Sequence, residues 1–281
     1  MNTNIINAIN NLITNPIIEL KAYYKSKTRA NNMGDALEEY VKDLFADTLM
    51  ATDEQIRLKK ISEVFSYLGN QNNPPDCILR GGDAIEVKKI TGHNSSLALN
   101  SSYPKHKLYA TSTLITEACR QCETWTEKDI IYVVGIVDDS KINSLCMIYG
   151  MDYAAENSIY ERIKNKIIDG INDIHDIEFV PTNELAKIKK VDPLGITDLR
   201  VRGMWQIDNP FKVFDYVYKR DCSKQFNFMS IISNNKYNSF DNTKIIEDKV
   251  GINGFNIRDI NIKNPNNPAC LENAKLITLQ I

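Results

Sequence analysis

A mixed α/β fold, a sheet flanked by helices with a strand-rich C-terminal region, is what the sequence predicts. Three observations predict it. MGDALEEYVKDLFA places Leu37, Tyr40, Val41, Leu44 and Phe45 on one helical face and keeps Glu38, Glu39, Lys42 and Asp43 largely off it. Three strand-like runs follow, ISEVFSYLG, PPDCILRG and DAIEVKKI, the last two separated by the turn residues Gly81 and Gly82. DIIYVVGIVD is then a near-continuous apolar run of the kind that suits a strand covered on both faces.

Taken in order, the chain opens with NIINAINNLITNPIIEL, whose apolar residues recur at helical spacing until Asn15 and Pro16 interrupt them, which predicts two short helices. The helix over 33–46 and the three-strand meander come next. The stretch from Thr91 to Pro104 is rich in Asn and Ser and predicts irregular structure, and the segment from Leu108 to Thr124 reads as a helix. The order becomes αβββαβ. SLCMIYG predicts a further strand, and a helix is expected from about Tyr153 to Ile168. From Asn172 the helical periodicity fades, and LRVRGMWQI, FKVFDYVY and FNFMSII read as strands.

Composition narrows the function classes. The chain has 281 residues, 43% of them hydrophobic and 25% charged, as an ordinary globular protein does. A net charge of −2 leaves no global attraction to a polyanion, so any nucleic-acid binding must come from a local basic surface. No apolar run reaches the roughly 20 residues of a membrane span and no secretory leader is recognisable, so the expected location is the cytoplasm and no membrane partner is expected. Six scattered cysteines lack the spacing of a disulfide framework. Cys119 and Cys122 form a lone CxxC inside a helical pattern, with no second ligand pair to complete a zinc site. The motif GxxxxGK[ST] is absent, which argues against a motor-driven nuclease subunit.

The chemistry gathers on the predicted hairpin. Asp76 leads into one strand, and Glu86, Val87 and Lys88 sit on its partner, so the turn at Gly81 and Gly82 brings two carboxylates and an ammonium together. Residues two apart on a strand share a face, which sets Glu86 beside Lys88 and turns Val87 into the core. Phosphodiester hydrolysis needs a cation against the phosphate, an activated water in line with the leaving oxygen, and help for that oxygen. Asp76, Glu86 and the Val87 carbonyl offer the hard oxygen ligands Mg²⁺ prefers, and Lys88 would orient or help deprotonate the water.

This pattern resembles the PD-(D/E)XK nuclease superfamily, whose shared αβββαβ core carries the acidic pair and the lysine on its second and third strands. More narrowly, NNMGDALEEYVKDLFA, NPPDCILRGGDAIEVKK, LNSSYPKHKL and GITDLRVRGMW resemble the NgoPII family of type II restriction endonucleases over most of the chain. The resemblance implies a restriction-endonuclease-like fold with a central mixed sheet, and Mg²⁺-dependent cleavage of both strands of DNA, at GGCC. It further implies a homodimer and a cognate DNA methyltransferase that protects the host. It also implies an acidic residue on the first core helix, Glu38, with Glu39 as the alternative. The chain then divides into a catalytic core over residues 1–170, including the N-terminal helices, and a DNA-recognition region over 171–281 packed on it as one unit.

Two segments are candidates for DNA contact. In LNSSYPKHKL, Ser101, Ser102 and Tyr103 alternate with Lys105, His106 and Lys107, a mixture suited to phosphate and groove contacts or to a solvated loop. In LRVRGMWQ, Arg200 and Arg202 share a strand face, from which they would read guanines or clamp phosphates. Trp205, Phe211 and Phe214 are expected to pack the core. A structure-directed nuclease of the same superfamily and a non-catalytic DNA-binding protein are the competing readings, and metal-dependent, sequence-specific cutting separates them.

Overall fold

The computed structural model describes residues 3–26, 32–70, 73–175, 178–180, 182 and 185–281. Helices α1 (Ile5–Thr14) and α2 (Leu20–Ser26) are separated at the expected Asn-Pro step. The α1 N-terminus is closed by Asn4, whose side chain accepts from the amides of Ile6 and Asn7 while Asn7 returns a bond to the Asn4 amide. Helix α3 (Met33–Ala46) is capped by Asn32 and buries all five residues of its predicted apolar face. Helix α4 (Glu54–Val64) follows, capped by Asp53, and takes the Ile61–Val64 segment that had been expected in a strand. Arg57 locks α4 against α3, its guanidinium inserting between Asp43, at 2.7 Å, and Glu39.

Strands β1 (Phe65–Asn70), β2 (Asn73–Leu79) and β3 (Ala84–Ile90) form the expected meander. Gly81, at φ +64°, supplies the left-handed residue of the β2–β3 turn. Then come β4 (Leu97–Asn100), β5 (Lys107–Tyr109), α5 (Glu117–Gln121), β6 (Glu127–Val137), β7 (Ile142–Tyr149), α6 (Gly150–Tyr153) and α7 (Asn157–Asn172). The helix expected over 108–124 is therefore a short strand on the edge of β6 and one turn of helix. Thr111, Ser112 and Thr113 favour turns over helix interior, and Thr116 caps the late start by accepting from the Cys119 amide at 3.1 Å.

The C-terminal part contains β8 (Glu178–Val180), β9 (Ala186–Lys189), β10 (Leu199–Val201), β11 (Trp205–Ile207), α8 (Pro210–Val213), β12 (Asn227–Ser233), α9 (Asn234–Tyr237), α10 (Lys244–Glu247), β13 (Phe255–Lys263) and β14 (Leu271–Gln280). FKVFDYVY is helix and turn rather than strand, because Asn209 caps the Lys212 amide and Pro210 occupies the first helical position.

One sheet runs in the order β1-β2-β3-β6-β7-β12-β14-β13, with β5 pairing off β6. The β3–β6 and β7–β12 pairs are parallel and the others antiparallel, so the sheet is mixed. Strands from beyond residue 171 complete this sheet, so the 170/171 boundary is not a break in it; β8, β9 and β10 form a separate three-stranded sheet. Strand β6 alternates across the sheet: Ile131 and Val133 pack on the face covered by α1 and α3, while Ile130, Tyr132 and Val134 pack on the opposite face with Phe211, Phe214 and Leu97. Phe211 and Phe214 are core residues as expected, and Trp205 packs partly buried against the second cluster. Among the described residues, no helix is long and apolar enough to cross a membrane.

Candidate active site

The β2–β3 ladder is short, with only Cys77 against Ile85 and Ile78 against Ala84 in register. Beyond these pairs a side chain takes over from the backbone: Asp76 Oδ2 accepts the Val87 amide at 2.6 Å. This bond fixes the Asp76 carboxylate beside Glu86, and the Val87 side chain turns into the core on the α1/α3 face, as its strand parity requires. Gly69 on β1 permits the arrangement, since a Cβ there would lie 2.4 Å from the Pro75 carbonyl oxygen.

Glu86 and Lys88 share the other face of β3, with Lys88 Nζ 2.5 Å from Glu86 Oε1. Glu86 is 8% exposed, and its second oxygen, Oε2, is buried with no hydrogen-bond partner. A carboxylate oxygen in that condition is costly unless a cation or donor arrives. Burial, reinforced by the Glu86 charge and opposed by Lys88 and the Val87 amide, pushes the Asp76 carboxyl up to about 7. Burial works against the Lys88 ammonium, but the charges of Glu86 and Asp76 outweigh it and raise its pKa.

These three side chains open into one cleft of about 150 Å³, whose lining also includes Asn73, Asn100, Ser101, Ser102, Tyr103, Lys105 and Tyr132. Four of the predicted DNA-contact residues, Ser101, Ser102, Tyr103 and Lys105, are thus brought to the acids. Lys107 is not; it lines an adjoining cavity of about 190 Å³ and pairs with Glu127 at 2.7 Å. The two cavities share Tyr103, Lys105 and Leu114 and form one groove. Arg200 and Arg202 are exposed and lie outside both cavities, and β10 ends at Val201, before Arg202. His106 Nδ1 donates to the Ala154 carbonyl, 3.0 Å away, in a structural contact.

The two candidate helix carboxylates separate cleanly. Glu39 is held by Arg57 and, at 2.8 Å, by Lys42, and those cations bring its pKa down despite burial. Glu38 is half-buried; burial raises its pKa, helped by Asp35 and Glu39 and opposed by Lys42 and, least, by Lys88. Glu39 is thus committed to the α3–α4 joint, whereas Glu38 lies outside the cleft lining and acts on it only through its charge, which adds a small part of the rise at Asp76. Tyr132 and Asn73 are cleft residues that sequence reasoning missed. Tyr132 had a usable signal: β6 runs parallel to β3 with Tyr132 in register with Glu86, on the same face. Asn73 had none beyond its closeness to Asp76.

Cys119 is buried, Cys122 is half-buried, and among the described residues no group of three or more His, Cys, Asp or Glu gathers as a metal site.

A mixed sheet flanked by helices, with two carboxylates and an ammonium converging in a groove, fits the restriction-endonuclease-like class of nucleases. The family model of the NgoPII restriction endonuclease matches residues 3–263. The type II restriction enzyme NgoPII of Neisseria gonorrhoeae is 53% identical over 283 residues, covering 99% of this chain and 100% of that relative. The chain belongs to the NgoPII restriction endonuclease family, a family of site-specific deoxyribonucleases. No solved structure matches it.

Proposed function

We propose that this protein is a type II restriction endonuclease of the PD-(D/E)XK type. It hydrolyses both strands of double-stranded DNA at a short palindrome, GGCC by its family resemblance, in a Mg²⁺-dependent reaction that leaves 5′-phosphate and 3′-hydroxyl ends. The convergence of Asp76, Glu86 and Lys88 in one groove carries this reading.

The donor set suits magnesium. Asp76 and Glu86 present carboxylate oxygens, and the unpartnered Glu86 Oε2 is an acceptor in need of a cation. Two carboxylates with the Val87 carbonyl suffice for an ion that keeps several waters and takes phosphate oxygens, so a cluster of three acids is not required. When bound, the ion supplies positive charge against the phosphate and lowers the cost of ionising water.

The chain's own residues divide the remaining work. The Val87 amide holds Asp76 in place. Lys88, its pKa raised by the two acids, stays an ammonium and orients the attacking water by donating to it instead of acting as its base. Water oxygen bonds to phosphorus as its proton passes to solvent, the bond from phosphorus to the 3′ oxygen breaks, and a proton from solvent neutralises that oxygen. Ser101, Ser102 and Tyr103 line the route the strand takes to the acids, and Lys107 lies further along the groove. Exposed Arg200, on the small sheet, and Arg202, just beyond its strand, lie outside both cavities and are suited to contacts away from the scissile phosphate.

A palindrome presents two equivalent strands, which a homodimer cuts with one active site each. Helix α7 leaves Ile159, Ile163 and Ile167 exposed along one stripe, an apolar surface that supports association of two copies. The protein acts in the cytoplasm alongside a cognate methyltransferase.

Incubating the protein with long unmethylated DNA of known sequence, in Mg²⁺ or in EDTA, and sequencing the fragment ends tests the proposal. Mg²⁺-dependent fragments ending at one palindrome support it and identify the site. Random or junction-only cutting points to a structure-directed nuclease, and no cutting with any divalent metal overturns the enzymatic reading.

A further inference from the structure

Several buried and half-buried lysines elsewhere in the fold, like Lys88 in the cleft, already have a carboxylate. Lys42 pairs with Glu39 at 2.8 Å, Lys88 with Glu86 at 2.5 Å, Lys128 with Glu123 at 2.8 Å and Lys236 with Asp129 at 2.7 Å. Lys105 is different. It is 5% exposed, and among the described residues no carboxylate lies within ion-pair distance of its ammonium. The ammonium stands 3.5 Å above the centre of the Tyr103 ring, a contact that attracts a cation without neutralising it.

This position is built. The Lys105 amide donates to the Tyr132 hydroxyl at 2.7 Å, and its carbonyl packs so closely on Gly150 that a Cβ there would lie 2.3 Å away. Tyr103 is fixed in turn, its hydroxyl donating to Glu161 at 2.6 Å and its ring stacked on Tyr160 at 5.5 Å. Lys105 therefore reaches the catalytic cleft from the wall formed by the loop after β4, while Lys88 reaches it from β3. A cation stripped of water and left without a counter-anion is unfavourable unless an anion is delivered to it. In this groove the arriving anion is the phosphodiester.

We propose that Lys105 is a second catalytic cation, its ammonium bonded to a non-bridging oxygen of the scissile phosphate and strengthening that bond as negative charge builds in the transition state. This rests on the nuclease reading above. Lys105 transfers no proton; the bonds made and broken are those of the hydrolysis itself. Its surroundings support the role: burial and the charge of Lys164 on α7 bring its pKa down to about 8, against the opposing charges of Glu161 on α7 and Glu86 on β3, with Tyr103 and the β6 residue Tyr132 also facing it. It is an ammonium at neutral pH and loses its charge as pH rises through about 8.

The test uses the full-length protein, an oligonucleotide carrying the mapped site, and the stereospecific phosphorothioate analogues of the scissile linkage. Wild-type cleavage in Mg²⁺ checks the nuclease reading separately, because its absence defeats that reading before Lys105 is considered. Lys105→Met is expected to lose at least 100-fold in single-turnover cleavage while the dissociation constant in EDTA changes by less than about fivefold. The slowing caused by sulfur at one non-bridging position in the wild type should shrink in this variant. Lys105→Arg should recover part of the rate and move the alkaline limb of the profile upward, since guanidinium stays charged. A Lys105→Met rate within threefold of wild type overturns the proposal, as does a loss confined to binding. If Lys105→Met fails to fold, the sulfur effect on Lys105→Arg decides, and an effect unchanged from wild type at both positions overturns it.

Discussion

Replacing Asp76 with Asn should make the protein more stable and inactive at once. Asparagine keeps an oxygen to accept the Val87 amide, now bonded at 2.6 Å, but removes the negative charge facing Glu86. The wild-type carboxyl titrates near 7 in the folded chain and near 3.8 in the unfolded one. Below pH 3.8 both states are protonated and the variant gains nothing. Between 3.8 and 7 the unfolded wild type ionises first, so its folded state loses stability as pH rises, and above 7 the loss is constant. Three pH units at about 1.4 kcal/mol each set a ceiling of about 4 kcal/mol, and water entering an open cleft reduces the expected gain to about 2 kcal/mol. For a chain of this size that is a Tm increase of about 4 °C. Thermal unfolding in EDTA at pH 4 and pH 8 reads it, and cleavage of an oligonucleotide carrying the site should fall by at least 1,000-fold. Adding Mg²⁺ at pH 8 should raise the wild-type Tm and close the gap, because the ion binds the pair the variant lacks. A variant less stable than wild type at pH 8, or a gap equal at both pH values, refutes the electrostatic account; retained cleavage refutes the site.

Gly69→Ala should push the β2 backbone at Pro75 and misplace Asp76, lowering kcat by about 10 to 100-fold with DNA affinity in EDTA nearly unchanged; equal cleavage by variant and wild type contradicts that geometry. Glu38→Gln should reduce cleavage at least tenfold with an unchanged Tm, whereas Glu39→Gln should lower Tm while the folded enzyme still cuts, and the opposite pattern would reassign the helix carboxylate. Arg57→Met leaves the buried Asp43 without its cation and should cost about 3 to 5 kcal/mol in denaturant unfolding; a cost below 1 kcal/mol argues against the α3–α4 lock.

Local physics determined much of this protein directly from its sequence. The apolar stripe of α3, the two short strand-like runs of β2 and β3 and the Gly81–Gly82 turn between them are short-range patterns, and they suffice to place Asp76, Glu86 and Lys88 together because a hairpin joins neighbours in the chain. The continuous apolar run of β6 likewise announced a strand covered on both faces. Where competing local signals were balanced, the sequence misled: the 108–124 segment became a strand at the edge of β6 and a short capped helix, and FKVFDYVY became helix and turn.

Only the tertiary structure decided which charged side chains are spoken for. Glu38 and Glu39 are adjacent on one helix, yet Arg57, eighteen residues beyond Glu39, claims only Glu39. Lys105 and Lys107 stand two apart in one polar stretch of sequence, yet Lys107 opens β5 and meets Glu127 while Lys105 is buried beside the acids without a carboxylate. Arg200 belongs to a small separate sheet and Arg202 lies just past its end, while β12, β13 and β14 return to complete the central one. Charge pairing and burial depend on contacts between distant segments, and a periodicity that spans a few residues carries no record of them.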